Sequence, residues 1–296
     1  MCDCLVALPA ATGGATLFAK NSDRPPAEVQ LVEWSPARLD TGRLRATHVD
    51  VDVYPRATIG TLLSRPAWCW GAEHGVNTAG VAIGNASIYT TLDPRSTPAA
   101  LIGMDFVRLG LERGSTAAEA VAVITTLLAQ YGQGGTGHDP VIMPLGRPYW
   151  NSFLVADPHE AFVVETSGRD FAVQQVEAVA ATSNRTTIAS FDAAHRHPRQ
   201  PVEGLVDPRL GASRQVLARR PVTVDSLAAH LRSHESCGTP GWSVCMHVDG
   251  VEATTASMIT ELPAGSSPLA WVLVGRPCEQ QYEQFVVSPA GLVAPA

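Results

Sequence analysis

A cysteine stands directly after Met1. Its side chain is small, so Met1 is removable and Cys2 becomes residue one. Thiol and α-amine then sit on the same residue. An α-amine has an ordinary pKa of about 7.7–8.0, so much of it is free base near neutrality. It can take the thiol proton directly or through one water. Nucleophile and base then share one residue, and no catalytic histidine is required. The nine histidines fall in no ligand or triad pattern, in keeping with this reading. The competing reading makes Cys2 an ordinary residue near the chain start. Cys4 is a second candidate, which would lead the chain only if Met1, Cys2 and Asp3 were all removed.

Other chemistries lack their signatures. There is no G-x-S-x-G elbow, Walker loop, G-x-G-x-x-G or H-E-x-x-H. His195 and His197 sit among Arg196, Pro198 and Arg199 and read as a solvated turn. Cys245 and His247 alternate on an expected strand and can share a face, but two ligands do not make a zinc site. Neither metal nor cofactor is expected. The six cysteines (Cys2, Cys4, Cys69, Cys237, Cys245 and Cys278) do not read as a disulfide framework in a chain without a secretory leader.

The elements that must position Cys2 follow from patterning. Leu5–Leu8 and Ala15–Ala19 read as a hairpin around Pro9–Gly14. Lys20 to Pro26 reads as a polar connection whose proline pair forbids a central strand. Strand runs are expected near 29–34, 47–53, 58–63, 152–156, 161–166, 171–176, 178–182, 244–248, 256–262 and 270–274. Met104, Val107 and Leu111 mark a helix over about 99–113. A capping box from Thr116 to Glu119 starts a second, which Gly132 can close. Two more helices are expected near 208–219 and 224–233. Strands cluster with strands instead of alternating singly with helices, so the class is α+β. One domain over 1–296 is expected, the 132–148 loop being the one candidate boundary.

Composition bounds the partners. The chain has 296 residues, 45% hydrophobic and 17% charged, which suffices for a full core. A net charge of −7 argues against nucleic acid. No run approaches the roughly 20 apolar residues of a spanning helix. The start lacks the basic region of a secretory signal, so a cytoplasmic protein without a membrane partner is expected. Of 21 basic residues only Lys20 is a lysine.

Longer stretches carry a resemblance. Cys2-Asp3-Cys4-Leu5-Val6-Ala7-Leu8-Pro9 is followed by Phe18-Ala19-Lys20-Asn21-Ser22-Asp23-Arg24-Pro25 and Glu28-Val29-Gln30. Then come Ser64 through Glu73, Gly80 through Asn85, Gly103-Met104-Asp105 with Arg108 through Arg113, and Tyr131 through Gly135. Glu160-Ala161, Glu165-Thr166 and Thr254 through Met258 complete the set. In these the chain resembles the secernins and C69 dipeptidases over about residues 2–277. That family looks like a branch of the N-terminal nucleophile (Ntn) hydrolases, more distantly related to penicillin V acylase and bile salt hydrolase.

The resemblance implies a four-layer αββα sandwich and amide hydrolysis, with dipeptides as substrates. It places the nucleophile at Cys2. Lys20 and Asp23 keep the superfamily's spacing of a basic residue and an Asp three later. Asp23 would orient the α-amine and Lys20 would lower the thiol pKa; otherwise they are a turn Asp and a surface Lys. Asn85 closes the apolar run 81–84 and suits an oxyanion hole, or is a turn residue. Asn184 and Arg214 resemble the acylases' second asparagine and distal arginine, or are a loop Asn and a helix-surface Arg. Trp68 and Trp70, two apart, would wall a pocket or join the core. Gly132–Gly135 would hinge a lid. Two other functions stay open. One is an N-acyl amidase with the same site, and the other a non-catalytic secernin-like regulator. The partner is a small peptide or N-acyl amide, with a homo-oligomer possible.

Overall fold

The computed structural model describes residues 1–235 and 239–294. Cys237 lies outside them. In chain order the strands are β1 (Cys2–Ala7), β2 (Thr16–Arg24), β3 (Gln30–Ser35), β4 (Arg43–Arg45), β5 (Asp50–Asp52), β6 (Thr61–Pro66), β7 (His74–Asn77), β8 (Ala82–Ile88) and β9 (Trp150–Ala156). They continue as β10 (Ala161–Ser167), β11 (Asp170–Gln175), β12 (Val179–Thr182), β13 (His247–Val248), β14 (Glu252–Leu262), β15 (Leu269–Val274), β16 (Glu283–Ser288) and β17 (Gly291–Val293). The helices are α1 (Pro9–Thr12), α2 (Gly103–Arg113), α3 (Ala117–Tyr131), α4 (Ala189–His195), α5 (Val202–Leu205), α6 (Asp207–Ala218) and α7 (Val224–Leu231).

Two antiparallel sheets face each other. The first runs β12-β1-β2-β14-β15-β16-β17, with β13 on β14; the second runs β11-β10-β9-β8-β7-β6-β3. Strand alternation then decides every layer. On β1, Cys4 and Val6 point between the sheets, where they meet Leu62, Trp150 and Leu154. Leu5 and Ala7 point outward onto Leu210, Leu217 and Leu227 of α6 and α7. On the far face of the second sheet, Ile83, Phe153 and Val164 receive Phe106 and Val107 of α2 and Ile124 of α3. The result is the four-layer αββα sandwich.

Three expectations change. The polar stretch after Ala19 is not a connection: β2 continues to Arg24 and lies between β1 and β14. Its polar side chains find buried partners, so the strand need not stop until Pro25, which has no N–H for the ladder. Asn85 does not close a strand but lies in the middle of β8. Strands β16 and β17 and helix α4, which ends at His195, were not expected. Among the described residues, no helix is long and apolar enough to cross a membrane.

Candidate active site

The pairing of β1 with β2 sets the site. Cys2 lies opposite Ser22, and Cys4 opposite Lys20. Lys20 and Ser22 therefore share the inner face with both thiols. Lys20 is fully buried, which excludes a surface lysine. Its Nζ donates to Ser22 Oγ at 2.6 Å and to Asn21 O at 3.3 Å. Burial works against its charge, but Cys2, Cys4 and Glu73 outweigh that and raise its pKa. Ser22 Oγ also meets Nδ1 of the buried His74 at 3.1 Å.

Asp23 is three residues from Lys20, so on a strand it faces the other way. It accepts from Thr254 Oγ1 at 2.7 Å and lies 3.8 Å from Arg209 Nη1. Burial raises its pKa to about 7, with the N-terminal ammonium and Arg209 opposing the rise. The Asp23 backbone holds Met1 from both sides: its N–H donates to Met1 O at 2.7 Å, and its carbonyl accepts from the Met1 ammonium at 2.8 Å. Lys20 thus lies on the face of β2 that carries the thiols, and Asp23 lies at the chain start.

Asn184, just past β12, accepts from Cys2 N–H at 2.9 Å and from Arg209 Nη2 at 3.0 Å on the same Oδ1. Its Nδ2 donates to Ser87 O and Oγ at 2.9 and 3.0 Å. Its amide is fully engaged, and one of these bonds holds the Cys2 nitrogen. Asn85 Nδ2 donates to Asn151 Oδ1 at 2.8 Å, and Asn151 donates in turn to Gln133 Oε1 at 2.8 Å. That leaves a second Asn85 N–H for the pocket it lines beside Cys2. Gln133 belongs to the expected lid. Here it buttresses Asn85, and Gly134 packs on Thr97 and Pro98.

Arg214 is not brought to this site. It is exposed on α6 and lines a separate surface hollow with Gln174, Val179 and Arg220. The α6 arginine that reaches the chain start is Arg209, fully buried one turn earlier on the same helix, with Nη1 2.6 Å from Asp3 Oδ2. Trp68 and Trp70 follow β6 in a turn and do not wall the pocket. Trp68 Nε1 reaches Glu28 at 3.4 Å, and Trp70 stacks under Arg108.

The pocket around Cys2 has a second wall that residue spacing did not reveal: Arg24, Glu73, His138, Arg147, Tyr149 and Glu252. The loop after Gly135 supplies three of them, so the candidate domain boundary is a wall of the site. Glu252 Oε2 accepts from the Met1 ammonium at 2.5 Å, and its Oε1 lies 3.1 Å from Arg147 Nη1. Burial alone would raise the Glu252 pKa; the ammonium, Arg147 and Arg24 more than offset it and leave it lowered. With Met1 in place the free volume is about 10 Å³, room for about one water. Met1 also borders a neighbouring hollow of about 340 Å³ lined by Tyr89, Arg147, Arg199, Leu205, Val206 and Trp242.

Cys4 is buried beside Cys2, and burial pushes its thiol up to about 12. With Cys2 and Asp3 in place it is therefore a protonated thiol near pH 7.

No family model matches the chain. Among solved structures it is similar to the C2A mutant of conjugated bile acid hydrolase from Clostridium perfringens, with 10% identity and a TM-score of 0.56 over 96% of both chains. It is also similar to the N-acylethanolamine-hydrolyzing acid amidase ortholog of Caenorhabditis elegans. There the identity is 14% and the TM-score 0.53, over 92% of this chain and 99% of the other. The αββα sandwich is thus the fold of these hydrolases.

Proposed function

We propose that this chain is a cysteine Ntn amidohydrolase whose nucleophile is Cys2 after loss of Met1, and that its substrates are small peptides with a free amino terminus. The observation that carries the reading is the seat of the Met1 ammonium. Glu252 and the Asp23 carbonyl hold it one residue from the thiol. With Met1 gone, that buried anionic seat is open to a substrate ammonium, and Asp23 N–H regains a free donor.

The reaction then follows from named groups. The Cys2 α-amine, oriented by Asn184 Oδ1, takes the thiol proton, and Lys20 favours the thiolate. The sulfur attacks the amide carbonyl. Asn85 Nδ2 donates to the oxyanion. The α-ammonium gives its proton to the leaving nitrogen as the C–N bond breaks. A thioester remains. The amine next deprotonates water, which attacks the thioester carbonyl and releases the acid, while the proton returns to sulfur.

A second reading has its own support. The similar structures are named for conjugated bile acid and N-acylethanolamine hydrolysis, and Leu205, Val206 and Trp242 offer an apolar surface beside the pocket. Turnover of dipeptides against their N-acetylated forms separates the two. Free-amine substrates are expected to be preferred; preference for the acylated set assigns the acyl-amidase reading. Cys2→Ala is expected to keep the fold and lose turnover of both. Full activity in that variant, or a retained Met1 in the intact mass of active protein, overturns Cys2 as the nucleophile; a retained Met1 in protein without turnover leaves the non-catalytic reading.

A further inference from the structure

Away from Cys2, four soft or imidazole donors meet. His234, Cys245, His247 and Cys278 place their ligand atoms all within 4.8 Å of one another. His247 Nε2 lies 3.1 Å from His234 Nε2, 3.5 Å from Cys245 Sγ and 3.3 Å from Cys278 Sγ. The two imidazole rings meet edge to face at 82°, with both Nε2 atoms turned inward. One imidazole nitrogen has one proton or one lone pair, so it cannot satisfy three such neighbours by hydrogen bonding. A cation at the centre can.

We propose that these four residues bind a zinc ion. Tetrahedral zinc has Zn–N bonds of about 2.0–2.1 Å and Zn–S bonds of about 2.3 Å, so its ligands stand roughly 3.3 Å (N to N) and 3.6 Å (N to S) apart. The observed separations match those edges within a few tenths of an ångström. A two-thiolate, two-imidazole set selects zinc over magnesium, calcium or manganese. All four positions come from the protein, so the site is closed and structural, with no place for substrate or water. Binding converts two thiols to thiolates and releases their protons.

The ion would join three segments: the residues after α7, the approach to β13 with its first residue, and the β15–β16 connection. These segments back the active site. Asn21 Nδ2 on β2 donates to Leu231 O and Val244 O, each at 2.9 Å. Met246 N–H donates to Thr254 Oγ1 at 2.8 Å, and that hydroxyl donates to Asp23. Zinc would thereby fix the partner of Asp23 without touching substrate.

The test is the metal content of the whole purified chain, grown with added zinc and dialysed. About one zinc per chain is expected. The Cys245→Ser/Cys278→Ser double variant should hold essentially none, because losing a ligand costs more than the roughly 10–100-fold that an outer-shell change costs. His159→Ala, an exposed histidine elsewhere, should keep its zinc. If the double variant does not fold, cobalt titration of the wild-type chain decides: tetrahedral visible bands with thiolate-to-cobalt charge transfer support the site. A Cys245–Cys278 disulfide with no bound zinc, zinc retained by the folded double variant, or octahedral cobalt bands would each overturn it.

Discussion

The Met1 ammonium and the Glu252 carboxylate form an ion pair at 2.5 Å in a nearly closed pocket. The same carboxylate lies 3.1 Å from Arg147. Its charge is thus already compensated on one side and presented to an ammonium on the other. Glu252→Gln should lower kcat/KM for free-amine dipeptides by at least about 2 kcal/mol, roughly thirtyfold, mainly through KM. Turnover of N-acetylated dipeptides should change little. An equal loss on both substrate sets would mean that Glu252 supports the fold and not the substrate.

Asp3 and Arg209 are both fully buried and pair at 2.6 Å beneath the strand that carries Cys2. Removing one partner leaves an uncompensated buried charge. Arg209→Met should destabilise the fold by about 3–5 kcal/mol in urea unfolding. Arg214→Ala, on the exposed side of the same helix, should stay within about 0.5 kcal/mol of wild type. Similar effects from the two would mean that the Asp3–Arg209 pair does not hold the strand that carries Cys2.

Lys20 contributes charge on the inner face beside the thiols. Lys20→Met keeps the length of the side chain and removes the charge. Alkylation of Cys2 at neutral pH should then slow, with Cys4 unmodified in both proteins. Lys20→Arg should cost stability as well, because Lys20 is fully buried with its Cδ close beneath Gly84. An unchanged rate in Lys20→Met would reduce Lys20 to a packing role.

Asn85 has one amide hydrogen committed to Asn151 and lines the pocket beside Cys2. Asn85→Ala should lower kcat by about 10²–10³ with little change in KM. Gln133→Ala should produce a smaller loss in the same parameter, through the Asn151 link. A change confined to KM would place Asn85 in ground-state binding.

His138 is held neutral. Burial, Arg24 and Arg147 push its pKa down to about 2. The unfolded chain takes up that proton below about pH 6.5, and the folded chain does not. Stability conferred by the neutral ring is therefore present above about pH 6.5 and lost as pH falls, at up to about 1.4 kcal/mol per pH unit. His138→Gln should flatten urea-unfolding stability between about pH 6.5 and 4.5. An unchanged slope would show that His138 titrates normally in the fold.

Local chemistry made much of this protein legible. Apolar runs at 5–8 and 15–19 around turn residues mark a hairpin, helical spacing marks α2 and α3, and clustered strands mark the α+β class. Those signals come from neighbours within a few residues. The quoted motifs carried Cys2, Lys20, Asp23 and Asn85, the likeness to the acylases added Asn184, and the structure gathers all five around the chain start. Polarity misled where burial supplied partners, as in β2 beyond Ala19. Only the tertiary structure decided that Arg209 and not Arg214 faces Asp3, more than 200 residues away. It also decided that Glu252 meets Met1, and that His234 and Cys278 join Cys245 and His247. Spacing is silent on such pairs, because sheet order and helix rotation, not separation along the chain, determine which side chains meet.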